Sequence, residues 1–501
     1  MLEMTNIVKR FPGVLANDHI NLSVRAGEIH GLLGENGAGK TTLMNILYGL
    51  YACDEGRILL EGREVSIRSP QEAITLGIGM VHQHFTLIPR MTVAQNIVLG
   101  VKSIPQFIPL EEVENEIAAL AERQGIAVDP KAMVWQLAMG ERQRVEILKA
   151  LYRQARLLIL DEPTSVVAPQ EIAAFFQSLR TMASNGLTII FITHKLDEVM
   201  SLTDRVTILR DGRVADVVNT CETSPQALAQ KMVGREVVMR VSRPPAVRGE
   251  TILDVVGLFA LDDRGLPALQ DVSFRVSGGE IVGVAGVSGN GQRELVEVLG
   301  GIRKAHGGRT MLLGRNVTSC SPHELVVLGV GLIPEDNRQE GLAAALPVRD
   351  NLILKRHLSP GALTRGPFLD DRAINTYCKR LIEDYGLKVP SVTVEAGKLS
   401  GGNLQRLILA RELARDPVLL IANQPTRGLD VGATEYVYQR LFEARSAGRA
   451  VLLVSENLDE ILTLSDRILV FFRGTIIGEV SGENADPDKI GLLMGGRVPE
   501  V

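Results

Sequence analysis

The chain has 501 residues, with 54 Lys and Arg against 59 Asp and Glu and a formal net charge of −5. At roughly 100–200 residues per domain this length predicts more than one domain, and 45% hydrophobic with 23% charged residues excludes a largely disordered chain. The balanced charge gives no support to a nucleic-acid binder. Four cysteines without a CxxC pair predict reduced thiols. The apolar runs are far shorter than the ~18 residues of a helical membrane span, so any membrane role would depend on a partner.

A glycine-rich turn follows an apolar strand near the start of the chain. The segment GENGAGKT, residues 34–41, lies between HGLLG and the helical stretch KTTLMNILYGL, which is the context that the pattern GxxxxGK[ST] requires. Glycines let successive N–H groups point at a phosphate, and the helix N-terminus adds positive potential. We predict that Lys40 reaches the β- and γ-phosphates of a nucleotide and that the Thr41 hydroxyl binds Mg²⁺. The alternative is a chance glycine-rich turn.

Later strands end in residues suited to phosphoryl transfer. Asp161 and Glu162 close the apolar strand LLIL, and His194 closes LTIIFIT. Transfer to water needs a clamp for charge together with a base or orienting group. We therefore predict that Asp161 serves the metal and its water shell, and that Glu162 faces the attacking water. Gln83 lies on a loop suited to contact Mg²⁺ and water, and we expect His194 to contact the γ-phosphate, the alternative being a structural histidine.

Strand-like and helix-like stretches alternate along the chain. This alternation predicts an α/β domain with a mostly parallel sheet. The segment VTILRDGRV, residues 206–214, adds the prediction of an antiparallel hairpin.

Nearly the whole chain is a duplicated unit. The matching pairs are GEIHGLLGENGAGKTTL (27–43) with GEIVGVAGVSGNGQREL (279–295), LAMGERQRVEILKAL (137–151) with LSGGNLQRLILAREL (399–413), and LLILDEPT (157–164) with LLIANQPT (419–426). The period is too long for a solenoid repeat, so it predicts tandem domains. We place the domains at residues 1–236 and 251–501. The linker at 237–250 holds adjacent prolines and polar flanks that cannot continue a helix.

The order of these motifs resembles the nucleotide-binding domain of ABC transporters. The motifs are the glycine-rich loop, Gln83, a Leu-Ser-Gly-Gly element, LLILDEPT and His194, and the most specific is LSGGN at 399–403. The resemblance covers both halves. It implies an α/β fold of two tandem P-loop NTPase (ABC-type) domains, each with a RecA-like core, an antiparallel β subdomain and a helical subdomain, and it implies ATP and Mg²⁺ as cofactors. Phe11 matches the aromatic residue that stacks on adenine in this family, the alternative being a core phenylalanine.

The resemblance further implies a head-to-tail pair with two ATP sites, each combining the glycine-rich loop of one half with the LSGGN-type element of the other. The first site has every group that phosphoryl transfer needs. Its expected ATP-binding residues are Phe11, Gly34, Glu35, Asn36, Gly37, Ala38, Gly39, Lys40, Thr41, Thr42, Ser400, Gly401 and Gly402. Its expected metal ligands are Thr41, Gln83 and Asp161, and its expected catalytic residues are Glu162, His194 and Gln83.

The second site departs from this pattern at almost every chemical group. Its glycine-rich loop runs from Gly286 through Gly291, with the substituted positions Gln292, Arg293, Glu335, Asn423, Gln424 and Glu456 in place of Lys40, Thr41, Gln83, Asp161, Glu162 and His194. Ala138 and Ala168 alter what the first half contributes. Each charge-assisted hydrogen bond is worth about 1.5–3 kcal/mol, so these losses predict binding or turnover weaker by powers of ten. The carboxylates of Glu335 and Glu456 are expected to repel phosphate as well. We predict one catalytic and one degenerate, non-hydrolytic site.

Fused halves with a weakened second site resemble importers of simple sugars and nucleosides. The segments 82–100, 333–342 and 422–433 favour the nucleoside branch, with a simple sugar as the alternative cargo. The resemblance implies integral membrane permease partners, an extracytoplasmic substrate-binding protein in the complex, and a peripheral place on the cytoplasmic face of the inner membrane. We expect permease contacts from His84, Phe85 and Leu87 and from residues 337–346, and we expect Trp135 to be a core anchor.

Other classes of protein compete with a transporter subunit. A soluble tandem ATPase acting on ribosomes or DNA would usually keep both sites intact and carry a long charged linker or a basic surface. A regulatory protein that binds nucleotide without hydrolysis would not need Asp161, Glu162 and His194. Co-purification with a polytopic membrane protein would separate the transporter from both.

Overall fold

The computed structural model describes residues 1–12, 14–82, 86–101, 110–166, 169–235, 247–356, 363–365 and 368–496. The chain divides into two compact units, one of Met1–Val237 with Asp430–Gly432 and one of Val238–Leu429 with Ala433–Val501. Within the described ranges, no helix combines the length and apolar character needed to cross a bilayer.

The elements of the first unit alternate between strands and helices. Its strands are β1 (Leu2–Phe11), β2 (Val14–Val24), β3 (Ile29–Gly34), β4 (Glu55–Leu60), β5 (Arg63–Val65), β6 (Ile78–Val81), β7 (Leu157–Asp161), β8 (Thr188–Thr193), β9 (Arg205–Arg210) and β10 (Arg213–Asn219). Its helices are α1 (Lys40–Leu47), α2 (Pro70–Thr75), α3 (Val93–Val98), α4 (Leu110–Arg123), α5 (Met139–Tyr152), α6 (Pro169–Ser184), α7 (Leu196–Leu202) and α8 (Pro225–Val233). Short 3₁₀ turns occur at Val134–Gln136, Pro163–Val166 and Thr220–Glu222.

The described strands of the first unit form two sheets. One is antiparallel with the order β2-β1-β4-β5, and the other has the order β10-β9-β3-β8-β7-β6. In the second sheet all neighbours are parallel except β9 and β10, which form the predicted antiparallel hairpin. β3, β7 and β8 are buried along their whole length, as expected of parallel strands covered on both faces. Their carboxyl ends therefore meet at one edge of the sheet, where sites of α/β folds lie.

The second unit repeats this order with a further hairpin. Its strands are β11 (Thr251–Leu261), β12 (Pro267–Ser277), β13 (Ile281–Ala285), β14 (Gly307–Leu312), β15 (Arg315–Asn316), β16 (Val330–Ile333), β17 (Thr364–Arg365), β18 (Phe368–Leu369), β19 (Leu419–Asn423), β20 (Ala450–Ser455), β21 (Arg467–Phe472) and β22 (Thr475–Ser481). Its helices are α9 (Gln292–Leu299), α10 (Pro322–Val327), α11 (Val348–Ile353), α12 (Asp371–Asp384), α13 (Gly401–Leu413), α14 (Val431–Ser446), α15 (Leu458–Leu464) and α16 (Pro487–Met494). Its 3₁₀ turns are Ala396–Lys398 and Gly482–Asn484.

The described strands of the second unit pair as those of the first do. An antiparallel sheet has the order β12-β11-β14-β15, a larger sheet has the order β16-β19-β20-β13-β21-β22, and β17 pairs with β18. The neighbours from β16 to β21 are parallel, and β22 is antiparallel at the edge. The α/β prediction with a mostly parallel sheet is therefore confirmed for both units.

The prediction that Trp135 is a core anchor is wrong. The side chain is 58% exposed, whereas the preceding Val134 is 1% exposed. Both residues lie in the 3₁₀ turn Val134–Gln136, between α4 and α5. A turn of this length presents one side to the core, and the smaller Val134 occupies that side.

Candidate functional site

The glycine-rich loop of the first unit joins β3 to α1 through two left-handed residues. Gly37 has φ 85° and Gly39 has φ 96°. A Cβ atom on Gly39 would lie 2.4 Å from the carbonyl oxygen of Ala16, so the position has room for glycine alone. The Ala38 N–H donates to the Glu35 carbonyl at 3.1 Å. The loop thus has the tight curl that a phosphate-binding turn needs.

Lys40 lies across this loop and is almost fully buried. Its Nζ donates to the carbonyl oxygens of Gly34 at 2.6 Å and Glu35 at 2.9 Å, and the residue is 6% exposed. Burial lowers the pKa of Lys40, while the carboxylates of Glu162 and Asp161 act in the opposite direction. The ammonium group is therefore held against the loop, within electrostatic range of the acid pair, and its contact with the β- and γ-phosphates stays a prediction.

Asp161 is the last residue of β7 and is 6% exposed. Burial and the neighbouring Glu162 raise the pKa of Asp161 to about 6, although Lys40 and a hydrogen bond with the Thr41 side chain oppose this rise. The two predicted metal ligands, Thr41 and Asp161, are thus in contact. Mg²⁺ prefers oxygen ligands and uses one or two carboxylates beside phosphates and water. The Thr41 hydroxyl and the Asp161 carboxylate, whose neighbours do not supply enough positive charge to keep its pKa low, fit such an ion.

Glu162 and His194 form the second polar pair of the site. The Nδ1 atom of His194 lies 2.9 Å from Oε1 of Glu162, and each side chain is 17% exposed. Glu162 has φ 47°, and its N–H donates to the carbonyl of Ile192 at 3.0 Å. The hydrogen bond with His194 is the main cause that lowers the pKa of Glu162. Neighbouring acids with pKa values pushed apart are typical of sites in which two carboxylates have different roles.

A buried glutamate that the sequence analysis missed joins the two strand ends. Glu198 accepts hydrogen bonds from the hydroxyls of Thr164 and Thr193, the latter at 2.7 Å, and pairs with Lys195 at 3.0 Å. It is 6% exposed. Glu198 therefore holds the segment after Asp161 and Glu162 against the one that carries His194. The duplication could have indicated it, because Glu460 and Thr426 stand at the matching positions of the second half. In the second unit Glu460 accepts a hydrogen bond from the Thr426 hydroxyl.

The roles of the other residues predicted from the sequence of this unit stay predictions. Gln83, His84, Phe85 and Ala168 lie outside the described residues. Phe11 is half-buried at the end of β1, where its ring meets that of Tyr51 edge-on with centroids 5.4 Å apart. Leu87 packs partly against the core. The assignments of Phe11 to adenine and of Ser400, Gly401 and Gly402 to the first site stay predictions.

The second unit keeps the loop geometry without its charges. Gly289 has φ 85° and Gly291 has φ 102°, close to the values of Gly37 and Gly39. In place of a lysine, Gln292 is 8% exposed and donates from Nε2 to the Val287 carbonyl at 3.3 Å. The loop therefore still curls, but its buried side chain is neutral.

Most of the other substituted positions of the second unit contact residues of the same unit. Arg293 is paired with Glu297 along α9 at 2.8 Å. Gln424 has φ 49° and accepts from the N–H of Glu456 at 3.3 Å. Glu335 forms an ion pair with Arg427. The guanidinium of Arg427 offsets part of the Glu335 carboxylate charge, and the expected repulsion of phosphate stays a prediction.

Comparison with known proteins identifies relatives over nearly the full length. The ABC transporter family matches residues 17–165 and 269–427. The glucose import ATP-binding protein TsgD13 of Haloferax volcanii is 49% identical, covering 99% of this chain and 96% of the relative. The nucleoside import ATP-binding protein NupA of Lactococcus lactis subsp. cremoris is 44% identical over 100% of this chain and 99% of the relative. The guanosine import ATP-binding protein NupO of Bacillus subtilis is 44% identical over 99% of this chain and 97% of the relative.

Proposed function

The chain belongs to the ABC transporter family, and from this premise we propose that it is the ATPase of an importer, with its catalytic residues around the glycine-rich loop of the first unit. The observation that carries this assignment is the Glu162–His194 pair at 2.9 Å, next to a buried Lys40 and an Asp161–Thr41 contact. Each of these groups has a defined task in phosphoryl transfer to water.

The side chains divide the work of hydrolysis between charge and geometry. The loop N–H groups and Lys40 bind the β- and γ-phosphates, exchanging the carbonyl partners of the ammonium for phosphate oxygens. Thr41 and Asp161 would hold Mg²⁺, which supplies positive charge against the phosphates. Glu162, kept ionised by His194, orients the attacking water and takes its proton. His194 fixes the rotamer of Glu162 and faces the γ-phosphate.

We propose that the second unit binds phosphate weakly and does not hydrolyse ATP. Gln292, Asn423 and Gln424 provide no charge where the first unit has Lys40, Asp161 and Glu162. Residues 1–236 and 251–501 would be the two domains, joined by residues 237–250. The partners would be permease subunits in the inner membrane and, through the complex, an extracytoplasmic binding protein, with this chain peripheral on the cytoplasmic face.

For the cargo we propose nucleosides, with a simple sugar as the second candidate. The names of NupA and NupO support nucleosides, together with the segments at 82–100, 333–342 and 422–433. The name of the Haloferax relative, which is 49% identical, supports a sugar such as glucose. The two candidates share the same ATPase chemistry, because cargo is selected by other subunits of such complexes.

An uptake assay in a deletion strain tests this proposal. Cells lacking the gene should lose uptake of labelled nucleosides and should regain it with the wild-type chain. Lys40→Ala should restore none, because it removes the charge that binds the phosphates, whereas Gln292→Ala at the matching position of the second unit should restore most of it. Rescue of glucose uptake alone would replace nucleosides with sugar as the cargo. Full rescue by Lys40→Ala would contradict the assignment of the catalytic site.

A further inference from the structure

A fully buried asparagine lies directly beneath the glycine-rich loop of the first unit. Asn17, on β2, is 0% exposed, and its Nδ2 atom donates to the carbonyl oxygen of Gly39 at 3.1 Å. The same carbonyl accepts from the N–H of Leu43 at 2.9 Å as the first hydrogen bond of α1. Gly39 precedes Lys40, so Asn17 contacts the peptide group that opens the helix.

The second unit shows that this amide is not needed to shape the loop. Leu269 occupies the matching position on β12, beside Gly291, and is likewise 0% exposed. The backbone angles are nearly the same, with φ 96° and ψ 3° at Gly39 and φ 102° and ψ 0° at Gly291. The carbonyl of Gly291 keeps the helical hydrogen bond, from Leu295 at 3.0 Å. An apolar side chain is therefore compatible with the same turn.

The amide of Asn17 also has an unfavourable contribution to the stability of the first unit. The Oδ1 atom of Asn17 is buried and finds no hydrogen-bond partner among the residues that the structure describes. A buried polar atom without a partner costs free energy of folding. Stability therefore does not account for the amide of Asn17, and the hydrogen bond that its side chain makes among the described residues is with the phosphate loop.

That contact acts on phosphate binding through the planarity of the peptide. The carbonyl of Gly39 and the N–H of Lys40 belong to one trans peptide group, so they point in opposite directions. A hydrogen bond that holds the carbonyl toward β2 holds the N–H away from it, toward the loop interior. Hydrogen bonding at a carbonyl also polarises the peptide and strengthens its N–H as a donor. Leu269 can do neither for the matching peptide.

We propose that Asn17 is a positioning residue for the phosphates of ATP, acting through the Gly39–Lys40 peptide, and that Leu269 removes this function from the second unit. The inference rests on the proposed function, since it concerns the same catalytic site. The N–H of Lys40 contacts phosphate before and during the reaction. Loss of its orientation therefore weakens the binding of substrate and of the transition state alike. Asn17 thus sets the KM for ATP rather than kcat.

The test compares Asn17→Leu, Asn17→Asp and Asn21→Leu in the full-length chain. Asn17→Leu introduces the residue that the second unit has, and Asn17→Asp keeps the volume but removes the amide donor. Asn21→Leu makes the first change on the exposed side of β2. The readouts are the KM for ATP and kcat of hydrolysis, the affinity for MgADP, and the melting temperature without nucleotide.

We expect Asn17→Leu to raise the KM and the Kd for MgADP by about five- to twentyfold, with kcat changed less than about twofold, as for a loss of uniform binding. Its melting temperature should not fall, because the orphaned oxygen is gone. Asn17→Asp should weaken binding at least as much, and Asn21→Leu should leave KM unchanged. A wild-type KM in both Asn17 variants overturns the inference. So does a loss of kcat that is accompanied by a lower melting temperature, because a general loss of folded structure would then explain the effect. Lys40→Ala, assayed in parallel, keeps the two proposals apart: if it still hydrolyses ATP, the proposed function fails instead.

Discussion

Two adjacent acids in the first unit experience opposite environments. Asp161 is buried, and its pKa is raised to about 6; Glu162 accepts a hydrogen bond from His194, and its pKa is lowered. Lys40 does not supply enough positive charge to offset the burial of Asp161. A bound cation would supply that charge, so Asp161 is suited to be a metal ligand. The hydrogen bond makes Glu162 a stable carboxylate at neutral pH. The difference between the two pKa values therefore arises from the burial of Asp161 and from the hydrogen bond between Glu162 and His194, and the proposed division of roles rests on this difference.

A second buried acid anchors the strand that leads into the loop. Glu28 accepts from the N–H of Arg25 at 2.7 Å, contacts Nδ1 of the buried His30 at 3.2 Å and pairs with Arg205 at 3.1 Å. Burial opposes ionisation, but these partners together lower the pKa of Glu28 from 4.5 to about 2. His30 also hydrogen-bonds to Thr207 at 2.8 Å. The network therefore joins β3 to β9 near the start of β3, at the end of the strand opposite the loop.

Glu28 should stabilise the first unit in a pH-dependent way. Because its pKa is lower in the folded state, the stabilisation is complete above about pH 4.5 and is lost as the pH falls toward 2. Glu28→Gln should lower the free energy of unfolding by about 2 kcal/mol at pH 7, as for loss of a charge-assisted hydrogen bond, and the difference from wild type should shrink in acid. Urea unfolding at several pH values measures this.

An exposed ion pair provides the control for this prediction. Glu61 contacts Arg156 at 2.7 Å, with both side chains about half exposed. Glu61→Gln should change stability by no more than about 0.5 kcal/mol at any pH. Equal effects of the two substitutions at pH 7 would show that the buried network contributes nothing beyond a surface pair.

At the scale of elements, the strand–loop–helix segment is the best-predicted part of the molecule. Local chemistry specifies it: an apolar strand, glycines where φ is positive, and Lys40 at the start of α1. Glu198 and Asn17 could not be predicted in the same way, since their roles depend on contacts with Thr164 and Gly39, which lie 34 and 22 residues away in the chain. A buried polar residue on a strand or helix carries no local signal of what it will meet.

Substitutions at two left-handed glycines, Gly39 in this segment and Gly62 in the turn between β4 and β5, separate backbone strain from steric exclusion. Gly39 and Gly62 have φ 96° and 76°, but only Gly39 has backbone atoms where a Cβ would lie, since no atom lies within 4 Å of that position at Gly62. Gly62→Ala should cost about 1–2 kcal/mol of stability and leave ATP binding unchanged. Gly39→Ala should also weaken ATP binding at least about tenfold, because the turn must open. Isothermal titration with MgADP and thermal melting distinguish the outcomes, and intact binding by Gly39→Ala would contradict the role given to the turn.

At the scale of the whole molecule, the same backbone geometry carries two different sets of side chains. The residues after β7 and β19, Glu162 and Gln424, have nearly the same left-handed backbone, with φ 47° and 49°, yet one is a carboxylate and the other an amide. The glycine turns agree as closely. The backbone geometry is therefore the same where the chemical groups differ. The duplication and the fold were predictable because the apolar and glycine positions of the two halves match in sequence.

The errors of prediction also have a physical reason at this scale. Trp135 was expected in a core because it is large and apolar, but its turn gives the buried side to Val134. The pairing of Glu335 with Arg427 was likewise not foreseen from the sequence. Burial and pairing depend on residues far away in the chain, so composition and motif spacing do not determine them.

Steady-state ATP hydrolysis by the assembled transporter carrying Glu162→Gln or Gln424→Glu decides whether the first unit alone is catalytic. We expect that Glu162→Gln removes turnover, that Gln424→Glu alone leaves it near the wild-type rate, and that the double variant stays inactive, since Gln292 and Asn423 still lack the charges that bind phosphate and metal. Turnover that persists in Glu162→Gln, or that Gln424→Glu restores in the double variant, would contradict this expectation.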